Sequence, residues 1–204
     1  AQGLKVHVYT SPHLVHFRER IVVASDMIDD DRLVDVLTRV REANNGKPLS
    51  FFEATTAAAF LAFSENSADM CIIEVGLGGR YDATNVIDMP AACGITPIAL
   101  DHAEFLGRDI AGIAREKAGI FKFNSVAFRG PQTDLVEAVL EAEANKMNTQ
   151  LSQWGQEFRA YKQQGRLVFE SDSEVMDLPP PGLMGDHQYM NAGLAIALAR
   201  HMQI

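Results

Sequence analysis

The feature that most limits what this chain can become is a rhythm of short apolar runs set between amphipathic helical stretches. "DMCIIEVG" at 69–76 and "CGITPIAL" at 93–100 show no alternation of polar and apolar residues, so a strand built from either must be covered on both faces. Helical patterns lie between such runs: "DDDRLVDVLTRVREAN", "SFFEATTAAAFLAFSEN", "RDIAGIAREKAGIF" and "TDLVEAVLEAEANKM". With "KVHVYTS" and "SVAFRG" as further strands, the order predicts an α/β fold with a mostly parallel, doubly wound sheet. After about Asn148 the strand candidates become shorter and more polar, and a Pro-Pro-Pro break follows. Residues 149–182 therefore read as a small β excursion, before a last helix opened by Asp186.

A chain of 204 residues can bury a full core without covalent staples, and its only two cysteines, Cys71 and Cys93, lie in apolar surroundings that suit reduced thiols. That favours a cytoplasmic setting. The net charge of −9 argues against a polynucleotide partner. It leaves room for a small anionic ligand, for which Arg18 and Arg20 in "FRERI" are a local cluster of donors. The most apolar window, "ATTAAAFLAF", is too short and too rich in Thr to span a bilayer. The opening "AQGLKVHVYTSPHL" reads as a helix end stopped at Gly3 and then a strand, as in a fragment of a longer protein.

In an open parallel sheet the ligand site forms at the carboxyl ends of the strands. Glu74 stands there after "MCII", followed by three glycines in four residues and then Asp82, Thr84 and Asn85. A carboxylate at the end of a buried strand is costly unless paired or metal-bound. Asp101 and His102 follow the next apolar run, so two carboxylates and an imidazole could meet at one rim and hold Mg²⁺, Mn²⁺ or Zn²⁺. Ser11, Pro12 and His13 follow the first strand, where a plain turn explains them equally well. Asn191 shares a helical stripe with Leu194, Leu198 and Met202, and its amide fits a purine edge or a neighbouring carbonyl. In "IAGIAREKAGIFK", residues Ile110, Ile113, Ala114, Lys117, Ile120 and Phe121 share one face, which places a lysine among apolar neighbours. No phosphate-binding loop is found, since "NNGKPLS" lacks the first glycine of that motif and has Pro48 where Ser or Thr is required.

The stretches "YTSPHLVHFRERI", "FFEATTAAAFLAF", "IIEVGLGGRYDATNVI", "LDHAEFLG", "IAREKAGIFK" and "GDHQYMNAGLAIA" resemble, in order, the dihydrofolate synthase / folylpolyglutamate synthase family of the Mur-ligase superfamily. The resemblance runs from Tyr9 to Ala197. It implies an ATP-dependent ligase that joins L-glutamate to dihydropteroate or to folate through an acyl phosphate. It implies Mg²⁺ held by Glu74 and His102 with Ser11 reaching a metal, and Asp82 in the same catalytic loop. Ser11, Pro12 and His13 would help to hold the pterin substrate, and Asn191, with His187 and Gln188 beside it, the nucleotide. Lys117 matches a lysine that CO₂ converts to a carbamate, which needs a neutral amine and hence burial. The family's P-loop and its C-terminal, glutamate-binding domain have no counterpart in these 204 residues. The expectation is therefore an incomplete central domain, inactive alone and prone to self-association, from an enzyme that is monomeric when whole. A degenerate non-catalytic module and a peptidoglycan Mur ligase fragment are the alternatives.

Overall fold

A computed structural model describes residues 3–100 and 109–204. They form two compact units, 1–86 and 87–204.

In the first unit β1 (Val6–Tyr9) pairs in parallel with β4 (Met70–Ile73), with Val8 opposite Ile72. On its other side β1 pairs antiparallel with β2 (Ile21–Val23), and β2 with β3 (Asp26–Met27), giving the order β3-β2-β1-β4. The antiparallel edge is missing from the sequence reading, because "FRERI" is too short and too charged to announce a strand. It folds instead as a 3₁₀ turn at Phe17–Arg20 that runs straight into β2.

The β2–β3 turn places Ala24 and Ser25 both at positive φ, 50° and 80°, a conformation that residues with a Cβ resist. Buried His7 secures it. Its Nδ1 accepts the Ala24 N–H, its Nε2 donates to the Asn66 carbonyl, and its ring stacks on Phe63 at 4.6 Å.

Helices α1 (Asp30–Asn44) and α2 (Phe51–Ser64) cover this sheet around a core of Tyr9, Ile21, Val36, Ala58 and Ala62. Each begins where a side chain satisfies the free amides of its first turn. Asp29 accepts from Arg32 N, while Ser50 and Glu53 exchange hydrogen bonds in a capping box. The buried Tyr9 hydroxyl lies 3.0 Å from both Thr55 Oγ1 and Thr56 Oγ1, which satisfies the polar atoms of an otherwise apolar contact.

The second unit carries a parallel sheet of β5 (Cys93–Ile95), β6 (Val126–Arg129) and β7 (Gln150–Gln153). Cys93, Ile95 and Ala127 face a core shared with α3 (Ile110–Lys117) and α4 (Asp134–Lys146). Val126 and Phe128 face the opposite way, toward α5 (His187–His201). This sheet is covered on both faces, as wholly apolar strands require. Gly94 makes it possible, because a Cβ there would come within 2.8 Å of Leu198 on α5.

The start of the 149–182 stretch extends the parallel sheet, since Gln150–Gln153 pairs with β6. The separate antiparallel sheet is β8 (Phe158–Gln163), β9 (Arg166–Ser171) and β10 (Val175–Leu178), in the order β10-β9-β8. It packs on α5 through Phe158, Ala160 and Phe169. The single tryptophan, Trp154, meets Phe158 edge-on at 5.6 Å and lies against Gly193 of α5.

Arg129, 1% exposed, ends β6 inside the unit. Its Nη2 donates to Gln153 Oε1 at 2.6 Å, and its Nη1 lies 2.7 Å from Glu137 Oε1, tying β6 to β7 and α4. Both cysteines are free, and burial pushes the Cys93 thiol up to about 11.

Candidate functional site

In the first unit the carboxyl rim is assembled around the Ser11–Leu14 loop. Glu74 extends the β1–β4 ladder by donating its N–H to the Tyr9 carbonyl, and its Oε2 accepts the Ser11 N–H at 2.7 Å. The structure thus brings Ser11 and Glu74 together. Glu74 is exposed, so the expectation of a buried strand-end carboxylate does not hold, and desolvation is not what makes this group informative. Its Oε1 and the Ser11 hydroxyl have no hydrogen-bond partner among the described residues.

The rest of the loop is held from the 3₁₀ turn that follows. The Glu19 carboxylate accepts the N–H groups of Leu14, Val15 and His16 at 2.8, 3.1 and 2.6 Å. Those amides, with His16 and Leu14 foremost, hold its carboxyl below the usual carboxylate range. Arg20 donates from Nε to His13 Nδ1 at 3.0 Å, so His13 carries its proton on Nε2. The Arg20 guanidinium lies over the rings of Phe17 and Phe51, 5.8 and 5.6 Å from their centroids. Sequence reasoning singled out Arg20 as a donor and missed Glu19, because a carboxylate serving backbone amides leaves no pattern beyond its spacing to the loop.

The glycine-rich stretch after Glu74 folds around Asp82. Its Oδ2 accepts from Gly76 N and Leu77 N, and its Oδ1 from Thr84 N and Thr84 Oγ1. Four hydrogen bonds occupy both oxygens, so Asp82 organises the loop in this state. Gly76 is required by packing, because a Cβ would stand 2.3 Å from the Phe52 ring of α2.

In the second unit Lys117 is the last residue of α3 and is half-buried. It sits at the end of the apolar face and so differs from the lysine enclosed mid-face that the periodicity suggests. Its neighbours on that face, Ile113, Ala114 and Phe121, are buried as expected.

At the start of α5, His187, Gln188 and Asn191 form a hydrogen-bonded series. Gln188 Nε2 is 3.0 Å from His187 Nε2, and Asn191 Nδ2 donates to Gln188 Oε1 at 3.3 Å. The Asn191 carbonyl oxygen is left available, and the side chain is half-buried. Asp186 makes no side-chain cap, contrary to expectation, because its carboxylate accepts from Lys162 Nζ instead. His102 and Asp101 lie outside the described residues.

Among the described residues no group of three or more His, Cys, Asp or Glu side chains could hold a metal. A Mg²⁺ ion needs no such cage, since it keeps waters and takes phosphate oxygens beside one or two protein donors. The exposed Glu74 carboxylate and the Ser11 hydroxyl are oxygen donors of that kind, so the residues present fit the ion. No described helix is long and apolar enough to cross a membrane.

Residues 33–199 match the Mur ligase middle domain. A folylpolyglutamate synthase of Arabidopsis thaliana is 36% identical over 97% of this chain and 33% of its own length. A dihydrofolate synthase/folylpolyglutamate synthase of Mycobacterium tuberculosis is 38% identical over 92% of this chain and 43% of its own. Among solved structures, E. coli FolC in complex with DHPP and ADP superposes with a TM-score of 0.89 at 32% identity, over 99% of this chain and 47% of that one. Folylpolyglutamate synthase of M. tuberculosis, complexed with ADP and AMPPCP, gives 0.85 at 34% identity, over 98% and 49%. The chain thus spans between a third and a half of the length of these relatives. It belongs to the Mur ligase middle-domain family, on the branch of the folylpolyglutamate and dihydrofolate synthases.

Proposed function

We propose that the protein carrying these residues is an ATP-dependent amide-forming ligase that adds L-glutamate to dihydropteroate, to folate (poly)glutamates, or to both. The observation that carries this reading is the Ser11–Glu74 hydrogen bond, which places the loop after β1 and the acidic end of β4 at one rim. Relatives solved with ADP, AMPPCP and DHPP support it. In the reaction a substrate carboxylate oxygen attacks the γ-phosphorus of ATP and ADP leaves. The glutamate amine then attacks the acyl carbon, phosphate departs, and the amine gives up a proton.

Within this scheme the Ser11–Leu14 loop seats the pterin substrate, with Pro12 and His13 beside it. Ser11 and Glu74 are the oxygen donors that would hold Mg²⁺, a role the family resemblance also gives to His102, and the ion when bound would neutralise phosphate charge and the charge that develops during transfer. Asp82 keeps the glycine loop in shape by accepting its amides. Asn191, oriented by Gln188 and through it by His187, presents its carbonyl oxygen to an adenine amino group. Lys117 becomes an anionic oxygen donor once its neutral amine has added to CO₂ and released a proton. The phosphate cradle and the glutamate site are assigned to parts of the protein outside these 204 residues, so this stretch alone is inactive. A cytoplasmic enzyme with small-molecule partners only completes the proposal.

The test is ADP release by the full-length protein, supplied with ATP, Mg²⁺, a pterin substrate and L-glutamate. Release should require both co-substrates and fall by about 10²–10³-fold in Glu74→Ala, the scale of losing one electrostatic contact to the transition state. ATP turnover indifferent to glutamate, or a fully active Glu74→Ala, would sink the reading.

A further inference from the structure

Helix α5 is gripped along one face by the small antiparallel sheet. Phe158, Ala160 and Lys162 alternate on one side of β8, and Tyr189, Gly193 and Ala197 recur every fourth residue on one side of α5. These two rows meet. Gly193 permits the contact, because a Cβ there would collide with the Ala160 methyl and the Trp154 ring. Toward the start of the helix the contact turns polar. Lys162 Nζ donates to Asp186 Oδ1 at 3.1 Å and lies 5.6 Å from the centroid of the Tyr189 ring. The Tyr189 ring is buried, and its hydroxyl donates to the Gly165 carbonyl at 3.3 Å. That carbonyl belongs to the two-residue β8–β9 turn, where Gln164 and Gly165 take the positive φ of a tight hairpin, 50° and 79°.

His187 and Asn191 each stand two residues from Tyr189, about 200° round the helix, and so face away from the hairpin. Because Asp186 forms no side-chain cap, the first turn of α5 is fixed from the hairpin side instead. We propose that Lys162 and Tyr189 are positioning residues for the nucleotide: through the first turn of α5 they set the Asn191 carbonyl oxygen where it selects a purine that carries an amino group. The effect runs through the helix and not through contact with the ligand. This deepens the nucleotide reading of Asn191, on which it rests, by naming what sets the amide. An exposed ion pair is weak by itself, so losing the Lys162 contacts should cause a graded change in selectivity and not its collapse.

The test measures equilibrium binding to the full-length protein, by calorimetry with Mg²⁺ present, of ADP and of inosine diphosphate, which has a carbonyl oxygen where adenine has its amino group. The parent should prefer ADP, and Asn191→Ala should abolish the preference. Lys162→Met keeps the stem without the charge, and should cut the preference by about three- to tenfold with little change for inosine diphosphate. Lys162→Arg, still able to reach Asp186 and Tyr189, should keep it. Tyr189→Phe, which removes only the bond to Gly165, should cut it by roughly twofold or more. A folded Lys162→Met or Tyr189→Phe that melts earlier yet prefers ADP as the parent does would overturn the proposal, since that is the mark of a contact serving stability alone. So would a Lys162→Arg as unselective as Lys162→Met. Should Lys162→Met fail to fold, Tyr189→Phe decides the matter. A parent with no preference for ADP, or a preference that survives Asn191→Ala, would sink the adenine role of Asn191 and this inference together, while glutamate-dependent ADP release would still uphold the ligase reading. Binding needs no turnover, so failure of that release leaves this comparison standing.

Discussion

Glu19 shows how one side chain can set the shape of a loop through backbone amides alone. Its depressed carboxyl value arises from the three amides it accepts, so the charged form is the one the fold stabilises. A group lowered in the folded state contributes stability that is present above its unfolded value, near 4.5, and lost as the pH falls through the folded value. The protection factors of the Leu14, Val15 and His16 amides, measured against their intrinsic exchange at each pH, should therefore hold at pH 5 and drop only below the ordinary glutamate range. Glu19→Gln, which accepts less strongly, should speed that exchange several-fold at neutral pH; unchanged protection would mean that the loop is held by other contacts. Lys117 makes the opposite point about legibility. Its place on an apolar face was readable from the helical period, but the end of α3 at that very residue was not, because "KAGIF" continues the pattern while the backbone tightens into 3₁₀.

At the scale of elements, most helices and the strands β1, β4, β5 and β6 were legible because apolar runs and capping leave marks in the residues themselves, although β4 lies at the edge of its described sheet with Cys71 and Ile72 exposed, against the expectation of cover on both faces. "SFFE" announced the start of α2 through its reciprocal cap, and α1, α2 and α4 lie within a residue or two of their sequence-based bounds. What was not legible depends on pairing across distance. β2 and β3 are short strands, β3 at the sheet edge, whose existence rests on β1 and on the His7 contact, and β7 is polar on its own yet joins a parallel sheet through β6. Arg129 links three elements in that sheet, and its energetic character can be tested. Glu137→Ala should destabilise the second unit by roughly 3 kcal/mol, since it strands a buried cation, whereas the double replacement Arg129→Met with Glu137→Leu should be close to neutral. Denaturant titration separates the two, and equal losses would contradict the assignment of the cost to an uncompensated charge.

For the whole molecule the two units differ in what their sequences disclose. The first carries the motif-dense loops, so Ser11, Glu74 and the glycine stretch stood out as a candidate site, while the exposure of Glu74 and the occupied state of Asp82 emerged only from the structure. The second holds its expected residues in two places, the end of α3 and the start of α5. The division falls at Val86, within a stretch where Tyr81 and Met89 are 88% and 89% exposed. Limited proteolysis should therefore cut first between Tyr81 and Met89, yielding pieces close to residues 1–86 and 87–204. A first cut inside α2 or β9 would contradict the division. The packing of Trp154 against Phe158 and Gly193 then acquires a practical meaning. With no other indole in these 204 residues, their tryptophan emission is a signal from one unit only, and a melt of this stretch followed at that wavelength would be blind to the unfolding of the rim that carries Ser11 and Glu74.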